Sequence, residues 1–157
     1  MLMSRRNFLL TASMLAAAAA LPRFATAATP VRVHVLKDPN CGCCTDWIDV
    51  MRDAGFDVTA QDMPNAALAQ VKAQNGITPE LASCHTANVE GYVIEGHVPP
   101  ADIRRLLATR PDAVGLSVPG MPYGSPGMGP ETAREAYDVV LVGRNADVSV
   151  FAHYPAA

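Results

Sequence analysis

Three of the four cysteines fall within four residues, Cys41-Gly42-Cys43-Cys44, and the fourth, Cys84, stands alone far downstream. Cys41 and Cys44 have the C-x-x-C spacing. It serves thiol–disulfide exchange, with Cys41 the exposed nucleophile and Cys44 or Cys43 resolving it, or it serves metal ligation. Cys43 adds a C-x-C pair and a vicinal pair. Three thiols this close cannot all pair with one another, and adjacent cysteines close only a strained ring. One sulfur must therefore look elsewhere, and Cys84 is the remaining candidate. Two methionines, Met121 and Met128, lie in the run Gly120-Met121-Pro122-Tyr123-Gly124-Ser125-Pro126-Gly127-Met128. Such a loop has little core of its own, so each methionine is either a gap filler or a thioether ligand. Thiolate and thioether donors suit Cu(I) best, and imidazole is compatible with it. Zinc in a four-ligand site is the alternative, with the methionines then idle.

The elements that must position these groups follow from hydrophobic periodicity. Val31 to Leu36 alternates apolar and polar and predicts a strand, and Lys37-Asp38-Pro39-Asn40 is turn chemistry. The cysteines come next, at the start of a helix whose stripe is Trp47, Ile48 and Met51 and whose stop is Gly55. A thiolate there meets free backbone N–H groups and the positive end of the helix dipole. Its pKa falls, and it becomes a better nucleophile and a better ligand. Phe56 to Ala60 reads as a second strand and Pro64 to Gln74 as a short helix. Strands over Cys84 to Val89 and Tyr92 to His97 flank the hairpin-length link Glu90-Gly91. Ala101 to Thr109 follows Pro99-Pro100 as a third helix. Gly115 to Pro130 reads as a long Gly/Pro loop, and Tyr137 to Val142 and Asp147 to Phe151 as a terminal strand pair. The order is that of a thioredoxin-like α/β fold with cysteines at the first strand-to-helix junction; an unrelated α+β sandwich is the alternative.

The hairpin register says where Cys84 points. If Val89 faces Tyr92 across the turn, Cys84 faces His97, and opposite residues hold their Cβ atoms roughly 4.5–5.5 Å apart. The start of that strand lies beside the cysteine turn in a thioredoxin-like arrangement, so Cys84 and His97 reach Cys41, Cys43 and Cys44. His85 points to the opposite face unless the strand begins one residue later or carries a bulge. His34 belongs to the polar face of the first strand, His153 to solvent, and Met51 and Met63 to the core.

Composition narrows the function. Met1 to Ala27 contains Arg5, Arg6 and Arg23 among the 12 basic residues and none of the 15 acidic ones, which leaves nine against 15, a net of −6, for the remainder. That charge rules out a chain built mainly to grip nucleic acid, because phosphate binding needs clustered positive charge. Ser4-Arg5-Arg6-Asn7-Phe8-Leu9, an apolar run to Leu21 and Ala25-Thr26-Ala27 make residues 1–27 an export signal. The twin arginines give it Tat character, against an ordinary Sec signal. The expected mature chain, residues 28–157, is a single periplasmic domain with no stable membrane span after processing. Disulfides persist in that compartment, so two structural disulfides are the plain alternative for the four sulfurs. Three cysteines at one helix start are a poor way to staple distant segments, however, and a domain of this size builds a core without staples.

Taken together, Lys37-Asp38-Pro39-Asn40-Cys41-Gly42-Cys43-Cys44 with Trp47, Ser83-Cys84-His85-Thr86-Ala87, the run Gly91 to Pro99 and the run Gly115 to Met128 resemble a family of small exported bacterial metal-binding proteins. That family was long described as a domain of unknown function and includes CopG-like copper-resistance proteins. The resemblance implies a thioredoxin-like fold, a periplasmic location and a cysteine-rich copper site with redox activity. By position, the motif cysteines are Cys41, Cys43, Cys44 and Cys84, and the motif His and Met residues are His85, His97, Met121 and Met128. The leading expectation is a copper-binding protein for copper resistance or handling, working with periplasmic copper-handling or redox proteins. The competing ones are a thiol–disulfide oxidoreductase with Cys41 and Cys44 as catalytic residues, and a non-catalytic exported module.

Overall fold

The computed structural model describes residues 29–145 and 147–157; the export signal expected over residues 1–27 lies outside them. Strand β1 (Arg32–Lys37) leads through the Asp38–Asn40 turn into helix α1 (Gly42–Asp53) and strand β2 (Asp57–Asp62). Helix α2 (Asn65–Gln74), the hairpin β3 (His85–Val89) and β4 (Tyr92–Glu95), and helix α3 (Pro100–Thr109) follow. Strand β5 (Ala113–Ser117), a short 3-10 turn (Glu131–Ala133), and strands β6 (Tyr137–Gly143) and β7 (Val148–Tyr154) complete the chain. The result is a mixed α/β architecture around one seven-stranded sheet in the order β2-β1-β3-β4-β5-β6-β7. β1 runs parallel to β2 and β4 parallel to β5, while β3 is antiparallel to both of its neighbours.

Period-two alternation sorts the sheet into two faces. Val33, Val35, Ala87, Ile94 and Leu116 point to one side, where the α1 stripe Trp47, Ile48 and Met51 and the α3 residues Ile103 and Leu106 bury against them. On the other side Val93 and Val142 pack with Ile77 and Leu81 from the segment after α2. Met51 is in the core as expected, Met63 is only partly buried, and His34 and His153 are exposed.

The terminal strand pair and the β1-α1 junction follow the sequence reading closely. The expected loop over Gly115–Pro130 needs correction at its start, because Ala113 to Ser117 forms β5, paired in parallel with β4 through Val93↔Gly115. A strand of five residues with glycine at its centre carries little β propensity. Gly115 is there for close approach: a Cβ at that position would lie 1.7 Å from the Val93 carbonyl oxygen. The hairpin strands are also shorter than expected. β4 ends at Glu95 because Gly96, at φ +72°, turns the chain, and a Cβ on it would meet the Ser83 hydroxyl and the Val118 carbonyl.

Candidate metal centre

The turn before α1 is fixed locally. The Asp38 side chain accepts the Asn40 N–H at 2.8 Å, and its carbonyl accepts the Cys41 N–H at 3.1 Å. Cys41 is the N-cap and offers no side-chain capping bond, and no acidic residue occupies the first turn. The cysteines thus sit at the positive end of the helix dipole with no carboxylate in the first turn.

Cys84 reaches this turn as the hairpin register requires. Val89 pairs with Tyr92 and Thr86 with Glu95, and two positions beyond the ladder the Cys84 Sγ lies 3.0 Å from His97 Nε2. The sulfurs of Cys41, Cys43, Cys44 and Cys84 all fall within 4.8 Å of one another. Cys41 and Cys44 form a disulfide with Cα atoms 5.4 Å apart, and Cys43 and Cys84 keep free thiols. Cys43 Sγ stands 3.5 Å from Cys41 Sγ and 3.8 Å from Cys84 Sγ.

His85 joins by the exception foreseen for it. β3 begins at His85, so Cys84 sits outside the ladder, free to turn toward the imidazole, and its Sγ is 3.3 Å from His85 Nδ1. Cys84, His85 and His97 form a second group of donors within 4.8 Å of one another. Both imidazoles are fully buried. The His85 ring packs on Trp47 with centroids 4.5 Å apart and meets His97 edge-on at 5.2 Å. Trp47 is locked in turn by its indole N–H, which donates to the Val98 carbonyl at 3.0 Å. Burial holds His85 well below the usual imidazole range, with His97 and Lys72 adding to the effect. Burial also lowers His97, against the Pro126 carbonyl, which favours its charged form. The Cys84 thiol is pushed up to about 12, by burial first and by Cys43 next. Neutral imidazoles keep a lone pair for a metal.

The Gly/Pro/Met segment closes over these groups. Gly120 accepts the Ser83 hydroxyl hydrogen bond and donates its N–H to Ala82. Pro126 accepts the His97 Nδ1–H at 2.7 Å. Gly127, at φ +81°, lies against the α1 backbone, where a Cβ would come within 2.6 Å of the Trp47 nitrogen. Gly127→Ala is therefore expected to lift the segment from α1, at a cost of about 1–3 kcal/mol; a lowered urea midpoint and faster exchange of the neighbouring amides would show it. The two methionines are not drawn in equally. Met128 is partly buried next to Gly127, whereas Met121 is 53% exposed.

One feature of the site was missed in the sequence. Lys72 of α2 reaches across to Glu95 Oε1 at 2.5 Å and Thr86 Oγ1 at 2.9 Å, all three buried. Glu95 also accepts the Ser83 N–H at 2.6 Å and the Thr86 hydroxyl at 2.6 Å. Burial raises the Glu95 pKa, and Lys72, Thr86 and Ser83 pull it down. The network thus holds the backbone just before Cys84. Its only sequence signal is that Lys72 lies one helical turn after Leu68, on the buried stripe. An open cleft of about 430 Å³, lined by Asn40, Cys41, Leu68, Lys72, Ser83 and Cys84 among others, leads to the sulfurs.

Fold and site together define a small α/β protein with a sulfur-rich, imidazole-flanked group of donors that could hold a metal. The family described as "Protein of unknown function, DUF411" matches residues 81–128. Two solved structures, "Copper resistance protein copG" in its Form 2 and Form 1, are similar over most of the chain. The first is 45% identical with a TM-score of 0.76, over 81% of this chain and 100% of that one. The second is 44% identical with a TM-score of 0.75, over 81% of this chain and 99% of that one. No curated protein sequence matches. The chain belongs to the CopG-like copper-resistance family. Among the described residues, no helix is long and apolar enough to cross a membrane.

Proposed function

We propose that this protein binds copper in the periplasm for copper resistance or handling, on a thioredoxin-like scaffold exported by the signal at residues 1–27. The observation that carries this reading is the meeting of four sulfurs, from the start of α1 and from the approach to β3, within 4.8 Å. Thiolates at that spacing suit Cu(I), which is the cargo here, and a cluster of them can bridge more than one ion. The fold supports the same reading: the order β2-β1-β3-β4, with β3 antiparallel to its neighbours and the cysteines at the β1-α1 junction, is the arrangement expected of a thioredoxin-like core. His85 and His97 flank the cage as nitrogen ligands, with Met128 and Met121 as supporting thioethers on the covering segment. Metal affinity and thiol oxidation are then coupled, since a cysteine in a disulfide is lost as a ligand.

The test is an anaerobic titration of the fully reduced protein with Cu(I) against a chromophoric Cu(I) chelator. At least one equivalent should be withheld from the chelator, and prior alkylation of the thiols should release it. A chelator that takes all the copper from the reduced protein would refute the reading. The Cys41–Cys44 disulfide favours a second reading, a thiol–disulfide oxidoreductase with Cys41 attacked first. Metal-free turnover of a dithiol with an insulin-type disulfide substrate would support it.

A further inference from the structure

The donors divide unequally when the Cys41–Cys44 disulfide is closed. Two of the four sulfurs are then tied up, yet Cys84 still has the imidazoles at 3.0 and 3.3 Å and the free Cys43 sulfur at 3.8 Å. With metal–sulfur bonds of about 2.3 Å and metal–nitrogen bonds of about 2.0–2.1 Å, a tetrahedral site spaces its sulfurs about 3.8 Å apart and its sulfur–nitrogen pairs about 3.5 Å apart. The observed sulfur–sulfur distance equals the first of these, and the sulfur–nitrogen distances need to open by only a few tenths of an ångström.

Each imidazole is also arranged as a ligand would be. His97 gives its Nδ1 proton to the Pro126 carbonyl, which leaves the Nε2 lone pair aimed at Cys84. A backbone carbonyl on the far nitrogen is the usual outer support of a metal-bound histidine. His85 is fixed by the Trp47 ring, and its Nε2 is buried with no hydrogen-bond partner among the described residues. Among the described residues its ring makes one side-chain hydrogen-bond contact, Nδ1 to Cys84 at 3.3 Å, with the Gly96 backbone also near the ring. Whichever nitrogen carries the proton, hydrogen bonding leaves this buried ring half unmatched, a costly arrangement for a residue that only packs.

We propose that Cys84, His85 and His97, with Cys43 as fourth donor, form a mixed sulfur–nitrogen site for a single Cu(I) ion that stays available while Cys41 and Cys44 are disulfide-bonded. The inference rests on the copper-binding reading and adds that the oxidised protein is not emptied. Reduction of the disulfide by a dithiol takes two electrons and two protons and adds two thiols, so the reduced protein holds more copper than the oxidised one. Cys84 belongs to both donor groups, and its thiolate can bridge them.

The test uses the disulfide form, checked by intact mass, and a Cys41→Ser/Cys44→Ser variant that reproduces its donor set with no disulfide to reduce. Both are expected to retain one Cu(I) per chain against the chelator. X-ray absorption at the copper edge of the disulfide form should show nitrogen and sulfur neighbours together. Adding His97→Gln to the double variant should weaken binding about 100-fold or more, since loss of even an outer-shell partner costs about 10–100-fold. Because His97 is buried, the absorption measurement on the unmutated protein keeps the test independent of whether that variant folds. Copper retained by the reduced protein but not by the disulfide form would overturn the inference and leave the copper-binding reading standing, as would a shell of sulfur alone. Failure of the reduced protein to bind copper would overturn both.

Discussion

A protein with serine in place of Cys84 is expected to bind Cu(I) far more weakly than the parent, by more than the roughly 10–100-fold that loss of an outer-shell partner costs. Cys84 is the sulfur that ties the α1 turn to the two imidazoles, at 3.8 Å from Cys43 and 3.0 Å from His97. A serine hydroxyl fills much the same space but is a hard, neutral donor that Cu(I) disfavours. The fold should tolerate the change, because Cys84 is only partly buried and lies outside the β3–β4 ladder. Chelator competition on the reduced variant reads the affinity, and a urea midpoint within about 1 kcal/mol of the parent would separate lost ligation from lost structure. Unchanged copper retention would show that the α1 trio suffices and that Cys84 is a bystander.

The largest expected effect on stability comes from Lys72→Met, at about 3–5 kcal/mol, because it leaves the Glu95 carboxylate buried without its countercharge. Lys72 and Glu95 side chains are 10% and 0% exposed. Without Lys72, burial raises the Glu95 pKa further above that of the unfolded chain. Between the unfolded and folded values the native state keeps a proton that the unfolded state has released, so stability falls as pH rises through that window. The deficit should therefore be smallest in acid and grow toward neutral pH. Urea unfolding of variant and parent at several pH values reads both size and sign. Glu95 also holds the Ser83 N–H, so Lys72→Met should additionally quicken exchange of the Ser83 amide.

What was legible in the sequence depended on how local the signal was. The cysteine turn is written in consecutive residues, and the His97 position follows from a hairpin whose link is two residues long, so both could be placed without coordinates. The β5 strand was hidden because Gly115 is chosen for space against Val93 rather than for strand propensity. The Lys72–Glu95 pair joins residues 23 positions apart, and a lysine on a short helix ordinarily reads as solvated. The place of His85 turned on a one-residue shift in where β3 begins, which periodicity alone does not resolve. Which cysteines pair was equally out of reach, since C-x-C, C-x-x-C and long-range pairings all satisfied the count.

Anomalous diffraction at the copper edge from crystals of the reduced, copper-loaded protein would locate the bound metal directly. The strongest peaks should lie among the sulfurs of Cys41, Cys43, Cys44 and Cys84, with His85 and His97 alongside. Copper on exposed side chains such as His34 or His153, with no density among the four sulfurs, would contradict it.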